Sequence, residues 1–232
     1  MRTLSRNNIE RVLIFSKIIT MPDLKYVAIE GNIGAGKTTL ANMLAKEYNA
    51  NLILEQFADN PFLPKFYKNP DKYAFHVELS FLASRYKQLV NELPYKDLFK
   101  TFTLADFYFS KSLIFARATL SDNEFKLYRE IFNIIYKSLP SPDIFVYLHE
   151  EPKKLKQNII KRGREYELEM DENYLQKIQD SYFKFMKENQ NQIFIVIDVA
   201  GKDFINYSLN YQKIKSAIFD SNHYKGMNYY RI

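Results

Sequence analysis

Ala28-Ile-Glu-Gly-Asn-Ile-Gly-Ala-Gly-Lys-Thr-Thr39 contains the most informative motif of the chain. It fits the pattern G-x-x-x-x-G-K-[ST] from Gly31 to Thr38. An apolar, β-prone run at 26–29 precedes the pattern, and a run with helical periodicity at 40–48 follows it. Because this pattern binds phosphate when it joins a strand to a helix, the sequence predicts a phosphate-binding loop.

The chemistry of the loop follows from its residue types. Glycines let the backbone curl so that successive N–H groups face one anion, and the start of the next helix adds its positive dipole end. Lys37 is expected to reach the β- and γ-phosphates of a nucleotide, and the Thr38 hydroxyl to ligate Mg²⁺. The predicted nucleotide-binding residues of the loop are Gly31, Asn32, Ile33, Gly34, Ala35, Gly36, Lys37, Thr38 and Thr39.

The composition restricts the other classes of function. The chain has 232 residues, of which 47% are hydrophobic and 26% charged, as in one globular domain. No Cys is present, which fits a reducing compartment, and three scattered His argue against a zinc centre. The apolar runs are too short for a membrane span, so we expect a cytoplasmic protein without a membrane partner. The net charge of +6 favours an anionic small molecule such as ATP over a nucleic-acid polymer, because acidic residues are interspersed.

The chain divides into three segments. Residues 1–20 are interpreted as an N-terminal appendage or an over-long start, with a transit peptide or a short extra helix as the alternative. Residues 221–232 are polar and tyrosine-rich and are expected to form a C-terminal tail. Between them, residues 21–220 alternate helices with strands predicted at 25–30, 52–54, 99–104, 143–148 and 192–197. The pattern predicts an α/β domain of the three-layer P-loop kinase type, with a five-stranded parallel sheet covered by helices on both faces.

Carboxylates stand at the ends of the predicted strands. In such sheets ligands bind at the carboxyl ends of the strands. A carboxylate there is either a metal or acid/base group or a helix N-cap, and for Glu55 and Asp106, which flank the loop, we favour the first role. Asp106 resembles a Walker-B-type acid that holds Mg²⁺ directly or through water.

Two further clusters carry polar groups suited to a nucleotide reaction. Lys161-Arg-Gly-Arg-Glu-Tyr-Glu167 lies between two predicted helices, and its two Arg could close over a transferring phosphoryl group as a short lid. A solvated basic helix end is the alternative. On the long helix predicted at 71–91, Glu78 and Arg85 are seven residues apart and share a face with aromatic residues, as a nucleobase site requires. Its alternative is a core stripe with charges at its rim.

The combination of motifs resembles the deoxyribonucleoside kinases, nearest their bacterial deoxyadenosine/deoxyguanosine kinase branch. The likeness spans roughly 25–219 and is more selective than the phosphate loop alone. The matching stretches are Ile29-Glu-Gly-Asn-Ile-Gly-Ala-Gly-Lys-Thr38, Leu54-Glu55, Phe66-Tyr-Lys-Asn-Pro-Asp-Lys-Tyr-Ala-Phe-His-Val-Glu78, Ser84-Arg85, Ser112-Leu-Ile-Phe-Ala116, Pro142-Asp143 and Arg162-Gly-Arg-Glu-Tyr-Glu167.

The resemblance implies a role for each matching residue. Glu55 corresponds to the carboxylate that takes the proton of the substrate 5′-hydroxyl, and Tyr67 with Glu167 to the pair that grips the 3′-hydroxyl. Arg85 corresponds to an arginine that faces both base and reacting end, and Glu78 stands where many relatives have a base-reading glutamine. The resemblance also implies lid arginines, an adenine-cupping loop, ATP and Mg²⁺ as cofactors, and a homodimer. The residues it assigns to the lid and the loop are Arg162, Arg164, Ala200, Gly201, Lys202 and Asp203.

The sequence departs from the family pattern at two places. Animal members carry Glu-Arg-Ser after the third strand, where this chain has Ala105-Asp-Phe107, so Lys111 or Arg85 is expected to supply the missing positive charge. An ionised Glu78 only accepts hydrogen bonds. Guanine offers donors at both N1 and N2 and adenine only at N6, so the sequence favours deoxyguanosine, with deoxyadenosine second.

The sequence therefore predicts ATP-dependent phosphorylation of the 5′-hydroxyl of a purine deoxyribonucleoside, as a step of nucleotide salvage. A nucleoside-monophosphate kinase of the thymidylate-kinase type is the alternative within the same fold. A nucleotide-binding regulatory subunit without turnover is the alternative from another class.

Overall fold

A single parallel sheet organises the chain, in a computed structural model that describes residues 24–57, 60–93 and 99–232. Its strands lie in the order β2-β3-β1-β4-β5-β6, and every neighbouring pair runs parallel. The strands are β1 (Tyr26–Gly31), β2 (Asn51–Ile53), β3 (Thr103–Ala105), β4 (Ile144–His149), β5 (Ile193–Asp198) and β6 (Gly226–Arg231). The carboxyl ends of β1, β2 and β3 therefore meet at one edge, as the sequence predicted for the site.

Helices cover both faces of the sheet, in agreement with the predicted three-layer α/β fold. They are α1 (Lys37–Tyr48), α2 (Leu63–Lys68), α3 (Pro70–Glu92), α4 (Ser110–Thr119), α5 (Asp122–Tyr136), α6 (Pro152–Arg162), α7 (Glu172–Glu188) and α8 (Ser208–Phe219), with a short 3₁₀ helix at Glu165–Glu167. Among the described residues, none of these helices is both long and apolar enough to cross a membrane.

The strands divide the core into two clusters because alternate side chains point to opposite faces. Val27 and Ile29 face α1, α6 and α8, whereas Tyr26 and Ala28 face α3, α4, α5 and α7. The second cluster is rich in aromatic rings, of which Tyr108 is fully buried. Some of these aromatic side chains, such as Phe66 and Phe115, also line the cavity at the carboxyl edge of the sheet.

The long helix α3 begins with strong start signals in the sequence. The Asn69 side chain accepts a hydrogen bond from the N–H of Lys72 at 3.3 Å, Pro70 occupies the first turn and Asp71 adds a favourable charge there. The helix then carries Glu78, Arg85 and Gln88 as buried polar residues on its inner side.

The predicted strand count is wrong, since the described residues form a sheet of six strands instead of five. Gly226–Arg231, placed in the C-terminal tail by the sequence, pairs with β5 from Ile193 to Asp198. The third strand is shorter than the predicted 99–104 and pairs with three residues each of β1 and β2. The appendage predicted for residues 1–20 lies outside the described residues.

Candidate active site

The phosphate loop leaves β1 and enters α1 with its glycines in left-handed backbone. Gly36, the N-cap of α1, has φ 88°, and Gly34 has φ 83°. The Lys37 ammonium donates to the carbonyl of Asn32 at 2.9 Å, so the lysine folds back along the loop. The buried Asn32 side chain in turn donates to the carbonyl of Leu175 at 2.7 Å. Asn32 thus anchors the loop to α7 rather than facing a phosphate.

Gly34→Ala is expected to lower the free energy of unfolding by about 2–5 kcal/mol. A left-handed backbone costs an alanine about 1–2 kcal/mol, and overpacking typically costs about 1–3 kcal/mol more. A Cβ at Gly34 would meet the Leu155 carbonyl oxygen at 2.9 Å. Gly163→Ala is the control. Gly163 also has a positive φ, 74°, but a Cβ added there would have no heavy atom within 4 Å among the described residues, its chain neighbours excepted. Denaturant unfolding checks the difference, and equal losses for both variants would contradict the steric argument.

Two adjoining cavities open at this edge of the sheet. The outer cavity is lined by Gly34, Ala35, Gly36, Lys37, Thr38 and Thr39 of the loop and by Gly201, Lys202 and Asp203. The inner cavity is lined by the residues predicted for acceptor and chemistry, namely Glu55, Tyr67, Glu78, Arg85, Asp106, Lys111, Arg162, Arg164 and Glu167. Lys37, Thr38, Glu55 and Asp106 line both cavities, so the two meet at these side chains.

Three loop residues lie elsewhere. Ile33 lines the inner cavity instead of the outer one. Gly31 ends β1 with φ 150°, and a Cβ there would approach the Leu148 carbonyl oxygen to 2.8 Å. Asn32 anchors the loop as described. Gly31 and Asn32 therefore support the loop through their contacts with β4 and α7.

Glu55 sits at the junction of the cavities between two cations. Arg85 places Nε and Nη2 each 2.8 Å from Oε1, and the Lys111 ammonium donates to Oε2. Burial opposes ionisation of this carboxyl, but Lys111 and Arg85 outweigh it and lower its pKa to about 2. Both candidates for the missing positive charge thus contact Glu55, which is ionised throughout the neutral range.

Asp106 links the junction to the phosphate loop. Its Oδ1 accepts from the backbone N–H of Glu55 at 2.7 Å, and its Oδ2 accepts from the Thr38 hydroxyl. The described residues contain no group of three or more His, Asp or Glu side chains that could hold a metal. Mg²⁺ in nucleotide sites uses one or two protein oxygens and takes the rest from phosphates and water, so Thr38 and Asp106 fit it.

Glu78 closes the far end of the inner cavity. Its side chain is buried, and Oε1 accepts from the Thr119 hydroxyl at 3.0 Å. Burial raises the pKa of Glu78 to about 7, although Arg85 and the Thr119 hydrogen bond oppose this. The Phe81 ring also lines the cavity and lies 4.7 Å from the Arg85 guanidinium carbon. Glu78 therefore places a buried polar group beside the Phe81 ring, an arrangement that suits a flat base.

The lid arginines lie over the junction and meet a common carboxylate. Arg162 donates to Glu167 Oε2, and Arg164 donates to Oε1 at 3.4 Å. The guanidinium of Arg164 also stacks 4.2 Å from the centre of the Phe57 ring. Glu167 is 4% exposed and lines the inner cavity with Tyr67, whose ring stacks on Tyr166 at 5.9 Å. The basic segment is therefore part of the site and not merely a solvated helix end.

The loop after β5 borders the outer cavity. The Ala200 N–H donates to Asp198 at 3.0 Å and the Gly201 N–H to Glu150 at 3.1 Å. The Asp203 carboxylate accepts from the Asn206 side-chain amide at 2.7 Å and from the N–H groups of Asn206 and Ile205, and these hydrogen bonds lower its pKa. The loop is therefore held at both ends.

Sequence reasoning missed several residues that shape the cavities. Phe204 packs its ring against Gly36, which leaves no room for a side chain there. Glu150 tethers the loop after β5, and its place at the end of β4 was the available signal. Phe115 and Tyr174 line the inner cavity from α4 and α7. Apolar residues at helical spacing predict core packing, so the pattern alone does not identify them as site residues. The aromatic wall thus comes from several elements that only the fold brings together.

Comparison with known proteins gives a consistent result. The deoxynucleoside kinase family profile matches residues 27–222. Deoxyguanosine kinase of Bacillus subtilis (strain 168) is 34% identical over 197 residues, covering 83% of this chain and 95% of that protein. Deoxyadenosine kinase of Dictyostelium discoideum is 29% identical over 192 residues, covering 82% and 78%. A structure of M. mycoides deoxyadenosine kinase with bound dATP aligns with TM-score 0.72 and 25% identity, covering 85% of this chain and all of that one.

The chain belongs to the deoxynucleoside kinase family, since the family match covers most of its length. The solved structure of deoxyadenosine kinase shares its fold, and the resemblance inferred from the motifs is confirmed.

Proposed function

We propose that this protein transfers the γ-phosphoryl group of ATP to the 5′-hydroxyl of a purine deoxyribonucleoside, with deoxyguanosine favoured and deoxyadenosine second. The observation that carries the proposal is the junction of the two cavities at Glu55, Lys37, Thr38 and Asp106. A triphosphate on the loop and a nucleoside in the inner cavity would bring their reacting atoms together there. Relatives named as deoxyguanosine and deoxyadenosine kinases support the purine.

The chemistry at the junction follows from the charges. Glu55 is ionised and accepts the proton of the 5′-hydroxyl. As the hydroxyl oxygen bonds to the γ-phosphorus, the bond between that phosphorus and the bridging oxygen breaks, and ADP leaves with that oxygen. Lys37, Arg162 and Arg164 stabilise the charge on the transferring group. When bound, Mg²⁺ would be held by Thr38 and Asp106 and would neutralise phosphate charge.

The inner cavity also accounts for orientation of the acceptor. Glu167 and Tyr67 would hold the 3′-hydroxyl, and Glu78 would meet the base edge. Fixing the nucleoside at both ends aligns its hydroxyl with the phosphorus, which removes much of the entropic barrier. Glu167 also meets Arg162 and Arg164, so the same carboxylate would connect the sugar to the lid.

A panel of deoxyguanosine, deoxyadenosine and pyrimidine deoxynucleosides at saturating MgATP tests the proposal. Formation of a purine 5′-monophosphate is expected. Phosphorylation of deoxynucleoside monophosphates alone would favour the thymidylate-kinase type, and MgATP binding without any product would favour a regulatory subunit. The homodimer and the cytoplasmic location stay predictions.

The preference between the two purines is expected to depend on pH. The pKa of Glu78 is raised to about 7, so the carboxylate predominates above that pH and the protonated acid below it. The carboxylate accepts from N1–H and N2–H of guanine, whereas the acid can donate to N1 of adenine and accept from its N6–H. The ratio of kcat/KM for deoxyguanosine to that for deoxyadenosine should therefore rise between pH 6 and 8.

Glu78→Gln is the control for this titration, because an amide donates and accepts at every pH. The variant should shift the preference toward deoxyadenosine and remove the pH dependence of the ratio. A ratio that still rises with pH in Glu78→Gln would assign the effect to another group.

A further inference from the structure

Gln88 is a buried polar residue of α3 whose side chain reaches the backbone next to Glu55. Only 8% of Gln88 is exposed. Its Nε2 donates to the Leu54 carbonyl at 2.8 Å, and its Oε1 accepts from the Gln56 N–H at 3.3 Å. The amide thus contacts the peptide groups on both sides of Glu55.

The segment that carries Glu55 needs such support because it has left the sheet. Strand β2 ends at Ile53, whose carbonyl still accepts from the Asp106 N–H at 3.1 Å. Beyond that point the Glu55 N–H is held by Asp106, and the Leu54 carbonyl and Gln56 N–H are held by Gln88. This short irregular segment therefore has fixed partners for three of its backbone groups, one in the peptide after Glu55 and two in the peptide before it.

Helix α3 holds Glu55 in two ways. Arg85 bonds to its carboxylate, and Gln88, one turn further along the same helix, bonds to its backbone. Arg85 and Lys111 bond to the carboxylate oxygens, but these long side chains can follow the carboxylate if the Glu55 backbone shifts. The Gln88 contacts remove that freedom.

We propose that Gln88 is a positioning residue for Glu55, which fixes the backbone on either side of it so that the carboxylate meets the 5′-hydroxyl along the line of attack. The inference rests on the proposed function, because it takes Glu55 as the proton acceptor. Misplacement of a catalytic group by about 1 Å can cost about 10²-fold in rate. Gln88 itself lines neither cavity, so it can act on the reaction only through the backbone that it holds at Leu54 and Gln56, on either side of Glu55.

Gln88→Leu removes both hydrogen bonds at similar volume. We expect kcat to fall by roughly 10–100-fold, with KM for ATP within about twofold of wild type, because the phosphate loop is untouched. Gln179→Leu is the matched control, since Gln179 of α7 is also 8% exposed and, among the described residues, its Oε1 has no hydrogen-bond partner. It should leave kcat unchanged and keep stability near or above that of wild type, because a buried oxygen without a hydrogen-bond partner is itself destabilising. ATP-binding stoichiometry corrects each rate for the active fraction.

A double-mutant cycle with Glu55→Gln separates positioning from a structural role. If Gln88 acts through Glu55, adding Gln88→Leu to Glu55→Gln should reduce the single-turnover rate by less than about threefold. An equal loss in both backgrounds, or no loss of kcat in Gln88→Leu, would overturn the proposal. Should the wild type form no monophosphate, the proposed function fails by itself. The position of Glu55 in a crystal structure of Gln88→Leu, compared with that in wild type, then tests the inference. A displaced Glu55 would support the inference, and an unmoved Glu55 would refute it.

Discussion

Glu55→Gln is expected to lower kcat for deoxynucleoside phosphorylation by about 10²–10⁴-fold, the usual contribution of a positioned proton acceptor. The 5′-hydroxyl is a very weak acid, and an amide cannot take its proton. Lys111 and Arg85 would also lose the negative charge that both of them contact. KM for ATP should change much less than kcat: the Glu55 charge raises the pKa of Lys37, but the Glu55 carboxylate bonds to Arg85 and Lys111 and not to the phosphate loop.

The measurement is steady-state kinetics with both substrates varied, together with equilibrium binding of the deoxynucleoside to the variant. Retained binding would show that the loss arises in the chemical step. Glu188→Gln is the control, since Glu188 lies at the end of α7 with a 62% exposed side chain. A Glu55→Gln variant within about threefold of wild-type kcat would remove Glu55 as the proton acceptor.

The elements nearest the phosphate loop were predictable because local sequence specifies them. The run before Gly31 is buried on both faces and reads as a continuous apolar strand, and glycines mark the turn that follows. The helix predicted at 71–91 has Pro and Asp at its start and forms from Pro70 to Glu92. These signals lie within the elements themselves, so they predict the elements without knowledge of distant contacts.

The sixth strand was not predictable, because its stability comes from its neighbour. Gly226–Arg231 has polar and tyrosine residues and lies at the edge of the sheet, where Tyr229 is 63% exposed. Without alternating hydrophobic residues, only pairing with β5 identifies it as a strand. Phe99 illustrates the opposite error: its β-prone type predicted a strand residue, but it is 87% exposed and precedes the pairing region.

The site was predictable in its residue types but not in its charge pairing. Strand ends identified Glu55 and Asp106, and the lid motif identified Arg162 and Arg164. The sequence could not decide between Lys111 and Arg85 as the cation near Glu55, since they lie on α4 and α3 and meet only in the folded chain. Gln88 was missed for the same reason, because its partners are backbone groups more than thirty residues away.

Lys37→Met is expected to lower kcat/KM for MgATP by about 10²–10³-fold, the loss typical of removing one preorganised donor from a developing charge. The Lys37 ammonium lies at the junction of the cavities, where the β- and γ-phosphates would lie. Methionine fills a similar volume without charge. Equilibrium binding of deoxynucleosides should be retained, because the Lys37 ammonium bonds to the Asn32 carbonyl of the loop and not to the residues predicted for base and sugar in the described part of the chain.

The same substitution is expected to leave the folded protein as stable as wild type or more stable. Burial and the nearby Lys111 lower the pKa of Lys37 to about 8, below its ordinary value of 10.5. The charged lysine therefore destabilises the native state. The penalty is complete below pH 8 and is relieved as the pH rises from there toward 10.5.

Thermal unfolding at pH 7 together with ATP kinetics tests both effects of Lys37→Met. Lys46→Met is the control, because Lys46 is an exposed lysine in the last turn of the same helix. A variant that loses kcat/KM for ATP but keeps or gains Tm would show that Lys37 serves the triphosphate at the expense of the unliganded fold. Loss of Tm with unchanged ATP kinetics would instead make Lys37 a structural residue and contradict the assignment of the loop.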